Sequence, residues 1–174
     1  MSLADDLLTI DGLPLHPLVV HAVVVLLPLA AVGTVLIAVR PAWRRRFGTA
    51  VAALTVLAVA LVPVAQQTGE QLENKLAALQ NPLIAQHAEL GGTLLPYALT
   101  FGMLVLALVL TGALADRRAR SAAATVPTRH RLWRTLLVPL AILAVLSAIA
   151  TTVRVIQIGH TGSTAVWEGI ANLP

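Results

Sequence analysis

Apolar residues fall in four long runs, approximately 17–39, 48–65, 91–115 and 132–158, separated by short polar stretches. Each is close to or above the roughly 20 residues that a helix needs to cross a hydrocarbon core of about 30 Å. The pattern predicts an all-α integral membrane protein, a bundle of four transmembrane helices forming one domain over residues 1–174. Local chemistry refines the boundaries. Pro17 suits a first helical position, which makes His16 the expected cap of the first helix and sets His21 about one turn inside. In QNPLIAQHAELGG, Asn81 can cap the free amides with Pro82 following it, so the third helix is expected over 82–115. Gly159 is placed to end the fourth helix in a left-handed cap, leaving 159–174 as a short outer segment. Pro28, Pro63, Pro96 and Pro139 each fall within a predicted helix and are expected to kink it. No internal repeat stands out beyond two helical hairpins with basic loops.

Charge gives the orientation. Ten of the twelve Lys and Arg residues lie in two loops, Arg40, Arg44, Arg45 and Arg46 after the first helix and Arg117, Arg118, Arg120, Arg129, Arg131 and Arg134 after the third. Cytoplasmic loops retain basic residues, so both termini are expected outside the cell, in the inner membrane of a bacterium. The opposite side holds Asp5, Asp6, Asp11, Glu70, Glu73, Glu89 and Glu168. Trp43 and Trp133 fall at the inner boundary and Trp167 at the outer one, where amphipathic rings are favoured. The opening MSLADDLLTIDG lacks a basic region and does not read as a secretory signal.

Composition agrees with this class: 57% of residues are hydrophobic and 11% charged, against about 25% charged in an average soluble domain. The high pI reflects the two arginine loops, and with aromatics at 3% nucleic acid is excluded as a partner. Cysteine is absent, so any metal must use His, carboxylate or Met.

The predicted topology collects His16, His21, His87 and His160 at one face, with Glu70 and Glu73 close by, and leaves His130 in a basic loop. Arg154 lies six residues before His160, about 9 Å along a helix. An intramembrane arginine by default has a partner or a task. Ser147, Thr151 and Arg154 recur at helical spacing, a polar stripe expected to face the bundle interior. Imidazoles ligate Zn, Cu and haem iron. Two axial histidines from different helices could hold haem b, with Arg154 near a propionate and Glu70 in support. A compact Zn or Cu site would instead draw together three or four of the histidines. His16 and His21 are separated by about 140° on a helix, so both join one site only if the helix start is irregular.

The segments GLPLHPLVVHAVVVLLPLAA, TGEQLE, HAELGGTLLP and RVIQIGHTGSTAVW together resemble the bacterial membrane family catalogued as domain of unknown function 2231. The resemblance covers nearly the whole chain and carries no established activity. Members occur beside Rieske or c-type cytochrome modules, which points by analogy to respiratory or redox membrane partners. Three readings follow: an electron-transfer protein with haem b or a Cu or Zn ion on His16, His21, His87 and His160; a noncatalytic scaffold held by a polar layer; and a metal-dependent membrane enzyme or small transporter.

Overall fold

The computed structural model describes residues 9–10, 13–76, 78, 81–121 and 128–171. Asp5, Asp6 and Asp11 lie outside the described residues, as do the side chains at 129–134 and 168. A two-residue antiparallel ladder pairs β1 (Thr9–Ile10) with β2 (Leu13–Pro14). Five helices follow: α1 (Leu15–Val39), α2 (Pro41–Leu76), α3 (Pro82–Gly92), α4 (Leu94–Ser121) and α5 (Thr128–Ala171). With α3 and α4 joined as one span, four stretches are long and apolar enough to cross a membrane. The protein is an all-α, multi-pass membrane bundle.

Three helix ends differ from the sequence reading, each for a local reason. α1 begins at Leu15, so His16 is inside its first turn and caps nothing in its own helix. α2 begins at Pro41, directly after Arg40, whose extended backbone (φ −119°, ψ 104°) makes the whole connection. Proline is preorganised for a first helical position, and the amides of Trp43 and Arg44 bond to the Arg40 carbonyl. Arg44, Arg45 and Arg46 therefore form the first turns of α2 and not a loop. α5 runs through Gly159 to Ala171, because Thr161, Ser163 and Thr164 return their hydroxyls to carbonyls three or four residues back and the helix continues.

The third span was expected to kink at Pro96, and it breaks one turn earlier. α3 ends at Gly92, Thr93 interrupts, and Pro96 sits in the first turn of α4. Proline has no N–H for the carbonyl four residues back, here that of Gly92. Gln66 of α2 supplies the missing donor: its Nε2 reaches Gly91 O at 2.8 Å and Gly92 O at 3.2 Å. Asn81 caps α3 as expected, its Oδ1 accepting from the Leu83 amide at 2.9 Å with Pro82 next to it.

The helices close into a ring in which α1 packs on α2 and α5, and α4 packs on the same two. α3 extends that ring against α5 and α2. Small buried residues, Ala30, Ala58, Ala98, Ala144 and Ala148, bring the backbones near one another, and Leu27, Phe101, Val105 and Leu108 fill what remains. Gly33 lies against Val51, where an added Cβ would meet Val51 Cγ2 at 3.0 Å. Hydroxyls inside the bundle are satisfied: Thr34 on Ala30 O, Thr55 on Val51 O, and Thr151 across to Tyr97 O at 3.2 Å. Bulky aliphatic side chains such as Val25, Met103, Leu110 and Ile156 are exposed, as a lipid-facing wall requires.

Candidate functional site

At the end of the bundle opposite the arginines, α1 and α3 each turn one histidine inward. His16 Nδ1 lies 3.0 Å from the Ala65 carbonyl and 3.4 Å from Thr68 Oγ1, both on α2. His87 Nδ1 lies 3.1 Å from the Ile158 carbonyl and 3.3 Å from Thr161 Oγ1, both on α5. The two arrangements are copies. In each, the ring crosses from the first helix of a hairpin to the second, meets a threonine and the carbonyl three residues before it, and lies against the glycine that follows.

That glycine is a requirement of the contact. A Cβ on Gly69 would stand 3.0 Å from His16 Cε1, and one on Gly162 would stand 2.9 Å from His87 Cε1. Any side chain there displaces the ring. Thr161 directs its own hydroxyl proton to the same carbonyl at 3.0 Å, while Thr68 has two acceptors for its proton, Val64 O at 2.9 Å and Ala65 O at 3.1 Å. A carbonyl only accepts, so Nδ1 carries the proton in both rings and Nε2 keeps the lone pair. The two half-buried rings face each other with centres 6.3 Å apart and planes crossing at 74°.

The other two histidines stand apart from this pair. α1 is regular from Leu15 onward, so the turn of about 140° between His16 and His21 carries the second ring to the outside. His21 is exposed and bonds back to Pro17 O of its own helix. His160 is also exposed, on the continuation of α5. Among the described residues no three His, Asp or Glu side chains converge, so the compact Zn or Cu centre expected from three or four histidines is not formed.

Glu70 is exposed and makes no ion pair among the described residues. Arg154 does not enter the histidine layer; its guanidinium lies 5.1 Å above the Tyr97 ring and its Nη1 donates to Gln157 Oε1 at 3.2 Å. Of the expected polar stripe, Thr151 faces inward and Arg154 lies at its edge, half-exposed. An open cavity of about 310 Å³, which neither histidine lines, separates Glu73, Asn74 and Leu76 of α2 from the cap Asn81 and from Pro82 and Ile84 of α3.

Sequence reasoning overlooked Gly69, Gly162, Thr68, Thr161 and Gln66. The signal was the Thr-Gly pair in both QQTGE and GHTGS, at the far end of each hairpin.

Compared with known proteins, the chain matches the model of the family described as Predicted membrane protein (DUF2231) over residues 12–172. No curated protein and no solved structure matches it.

Proposed function

Because the chain belongs to the DUF2231 family of membrane proteins, whose description names no activity, the reading rests on the site, and we propose that His16 and His87 are the axial ligands of one haem b in an electron-transfer protein. The observation that carries this is the spacing of two rings whose Nδ1 protons are already engaged. Metal-ligating histidines characteristically donate the other ring N–H to a carbonyl or carboxylate, which fixes the ring and leaves one lone pair outward. With a metal–nitrogen distance of about 2.0 Å and about 1.2 Å more to the ring centre, ligands on opposite sides of one ion have centres about 6.4 Å apart. At a tetrahedral angle the same arithmetic gives about 5.2 Å. The 6.3 Å separation of the ring centres would let one metal-centred group between them take a nitrogen from each.

If haem were bound, His16 and His87 would be the two residues of the chain that hold its iron. The haem supplies one-electron chemistry; the chain supplies two oriented imidazoles in a bundle mouth. α3 has no fully buried residue and ends at a break, so it would be the part of the wall best able to yield to a bulky group. The arginine clusters favour the extracytoplasmic side for this mouth. Cysteines introduced at Gln71 and Arg120 of this cysteine-free chain should then react with an impermeant reagent from opposite faces, Gln71 from outside.

The test is an absorption spectrum of protein purified in mild detergent after haem-supplemented expression, oxidised and then dithionite-reduced. A Soret band with sharp reduced α and β bands is expected, lost in His16→Ala and in His87→Ala and kept in His21→Ala and His160→Ala. A second reading is favoured by the closure of every Nδ1 contact within the chain: the layer is a structural clasp and the protein a scaffold. Colourless, metal-free protein that melts earlier in both alanine variants would select it.

A further inference from the structure

Arg154 is a cation inside an apolar span that the histidine pair does not explain. Its span, Thr135–Trp167, contains an 18-residue stretch with a mean hydropathy of 2.4. An arginine at the bilayer centre costs roughly 2.5 to 3.5 kcal/mol on insertion scales, less toward the interface. Within the chain it meets only Tyr97 and Gln157, both uncharged, and forms no ion pair among the described residues.

Geometry makes this a site for an anion. The guanidinium has five N–H donors, and a single hydrogen bond within the chain uses one of them. That bond occupies the Gln157 carbonyl oxygen, so the amide offers its NH₂ outward and the accessible polar edge consists of donors. Tyr97 supplies a ring under the cation and a phenol beside it. The surface around the group faces lipid: Tyr97 is 38% exposed and Val153, next to Arg154, 48%.

Depth chooses the source of the anion. Arg154 is seven residues, about 10 Å, below Thr161, the partner of His87 in the bundle mouth. Gln157, to which it turns, is one turn nearer that mouth. A side chain directed this way ends under the headgroups of the leaflet on the histidine side, where phosphates are the abundant anions. We propose that Arg154, Gln157 and Tyr97 bind the phosphate of an anionic phospholipid, whose acyl chains lie along the exposed apolar surface of α5 beside Val153. Haem propionates directed out of the bundle mouth would lie two turns away, so this site is independent of the haem.

Native mass spectrometry of the delipidated full chain, offered phosphatidylglycerol or phosphatidylcholine in mixed micelles, tests the assignment. Wild type should retain one phosphatidylglycerol with a preference of about fivefold, equivalent to ~1 kcal/mol for one basic residue at an anionic lipid surface. Arg154→Gln should lose that preference, Arg154→Lys keep part of it, and Tyr97→Phe keep most. Inorganic phosphate should not displace the lipid, because it brings no acyl chains. If Arg154→Gln does not fold, Gln157→Leu replaces it and should lower the preference by itself. Equal retention of the two lipids by wild type, an unchanged preference in the folded variants, displacement by phosphate alone, or a co-isolated membrane protein lost with Arg154→Gln would each overturn it.

Discussion

The two hairpins use the same clasp and brace it differently. His16 belongs to an unbroken α1 of 25 residues, anchored by buried Val23, Leu27, Ala30, Ala31, Thr34 and Ile37. His87 belongs to α3, which has 11 residues and buries none of them. One histidine is therefore placed by a packed helix, and the other by its own hydrogen bonds and by the Gln66 clamp at the break. Position 66 precedes Thr68 by two residues, as Gly159 precedes Thr161. The first hairpin thus holds a glutamine that reaches to the broken helix of the second. The second holds a glycine at the matching place, where its neighbour α1 has no break to clamp. Equal chemistry on unequal supports gives one firmly and one loosely anchored imidazole.

The strongest way to break this comparison is to fill the two glycine notches. Gly162→Ala puts a methyl 2.9 Å from His87 Cε1 and 3.1 Å from Nδ1, so the ring must leave its carbonyl. Overpacking of this kind costs about 1–3 kcal/mol, and the lost hydrogen bond adds about 1 kcal/mol. With only a half-buried face to hold it on α5 and α2, α3 should loosen, and its amides should exchange hydrogen faster while those of α1 do not. Gly69→Ala imposes a similar contact, 3.0 Å from His16 Cε1, on a helix that is otherwise anchored. Its melting point should fall less, without release of α1. Equal exchange effects in the two variants would mean that the supports are equivalent.

Next comes the clamp. Gln66→Leu keeps the bulk and removes both donors to the Gly91 and Gly92 carbonyls. Pro96 cannot replace them, so one carbonyl is stranded, a loss of about 1–3 kcal/mol if it stays dry. Exchange should rise across residues 82–95 alone, and in holoprotein the reduced spectrum should broaden as His87 samples more positions. An unchanged spectrum and unchanged exchange would show that α3 is held by something other than the clamp.

How far the sequence foretold all this depends on the kind of interaction. The four spans were legible because hydropathy over about 20 residues is a sum that neighbours do not alter. Helix ends were not, since arginines after Arg40 and hydroxyls after Gly159 continue a helix outside the hydrocarbon, where hydropathy carries no signal. Topology alone brought His16 and His87 to one level. Their pairing, and the exclusion of His21, turned on whether α1 is regular at Pro17, a matter of a single turn. Gly69 and Gly162 were passed over because a glycine on a helix is informative only once its neighbour is known. Arg154 was read toward the histidine layer by distance along the axis, and its rotation toward Tyr97 depends on how α4 packs on α5.

Smaller effects should follow from the threonines. Thr68→Val and Thr161→Val each remove a hydroxyl whose hydrogen bonds lie within its own helix and to the ring, at 3.4 Å and 3.3 Å. The carbonyl keeps its histidine donor in both variants, so the loss should be about 0.5–1 kcal/mol per site in a denaturant or heat titration. The Thr161 variant should be the more affected, because the ring it helps to orient is the one on the poorly anchored helix. Equal losses would assign the threonines to their own helices and not to the clasp.

The smallest effect, and the one of opposite sign, belongs to Gly159. A Cβ there meets nothing within 4 Å and the residue does not have a positive φ, so neither space nor backbone asks for glycine. In a continuous helix Gly→Ala removes a penalty of about 0.5–1 kcal/mol. Gly159→Ala should therefore raise the melting point slightly and leave the spectrum and the exchange of α3 unaltered. Had the fourth helix ended here in a left-handed cap, the same substitution would be destabilising by a similar amount. The sign of one small change thus decides whether α5 runs unbroken to Thr161 and Gly162, on which the His87 clasp depends.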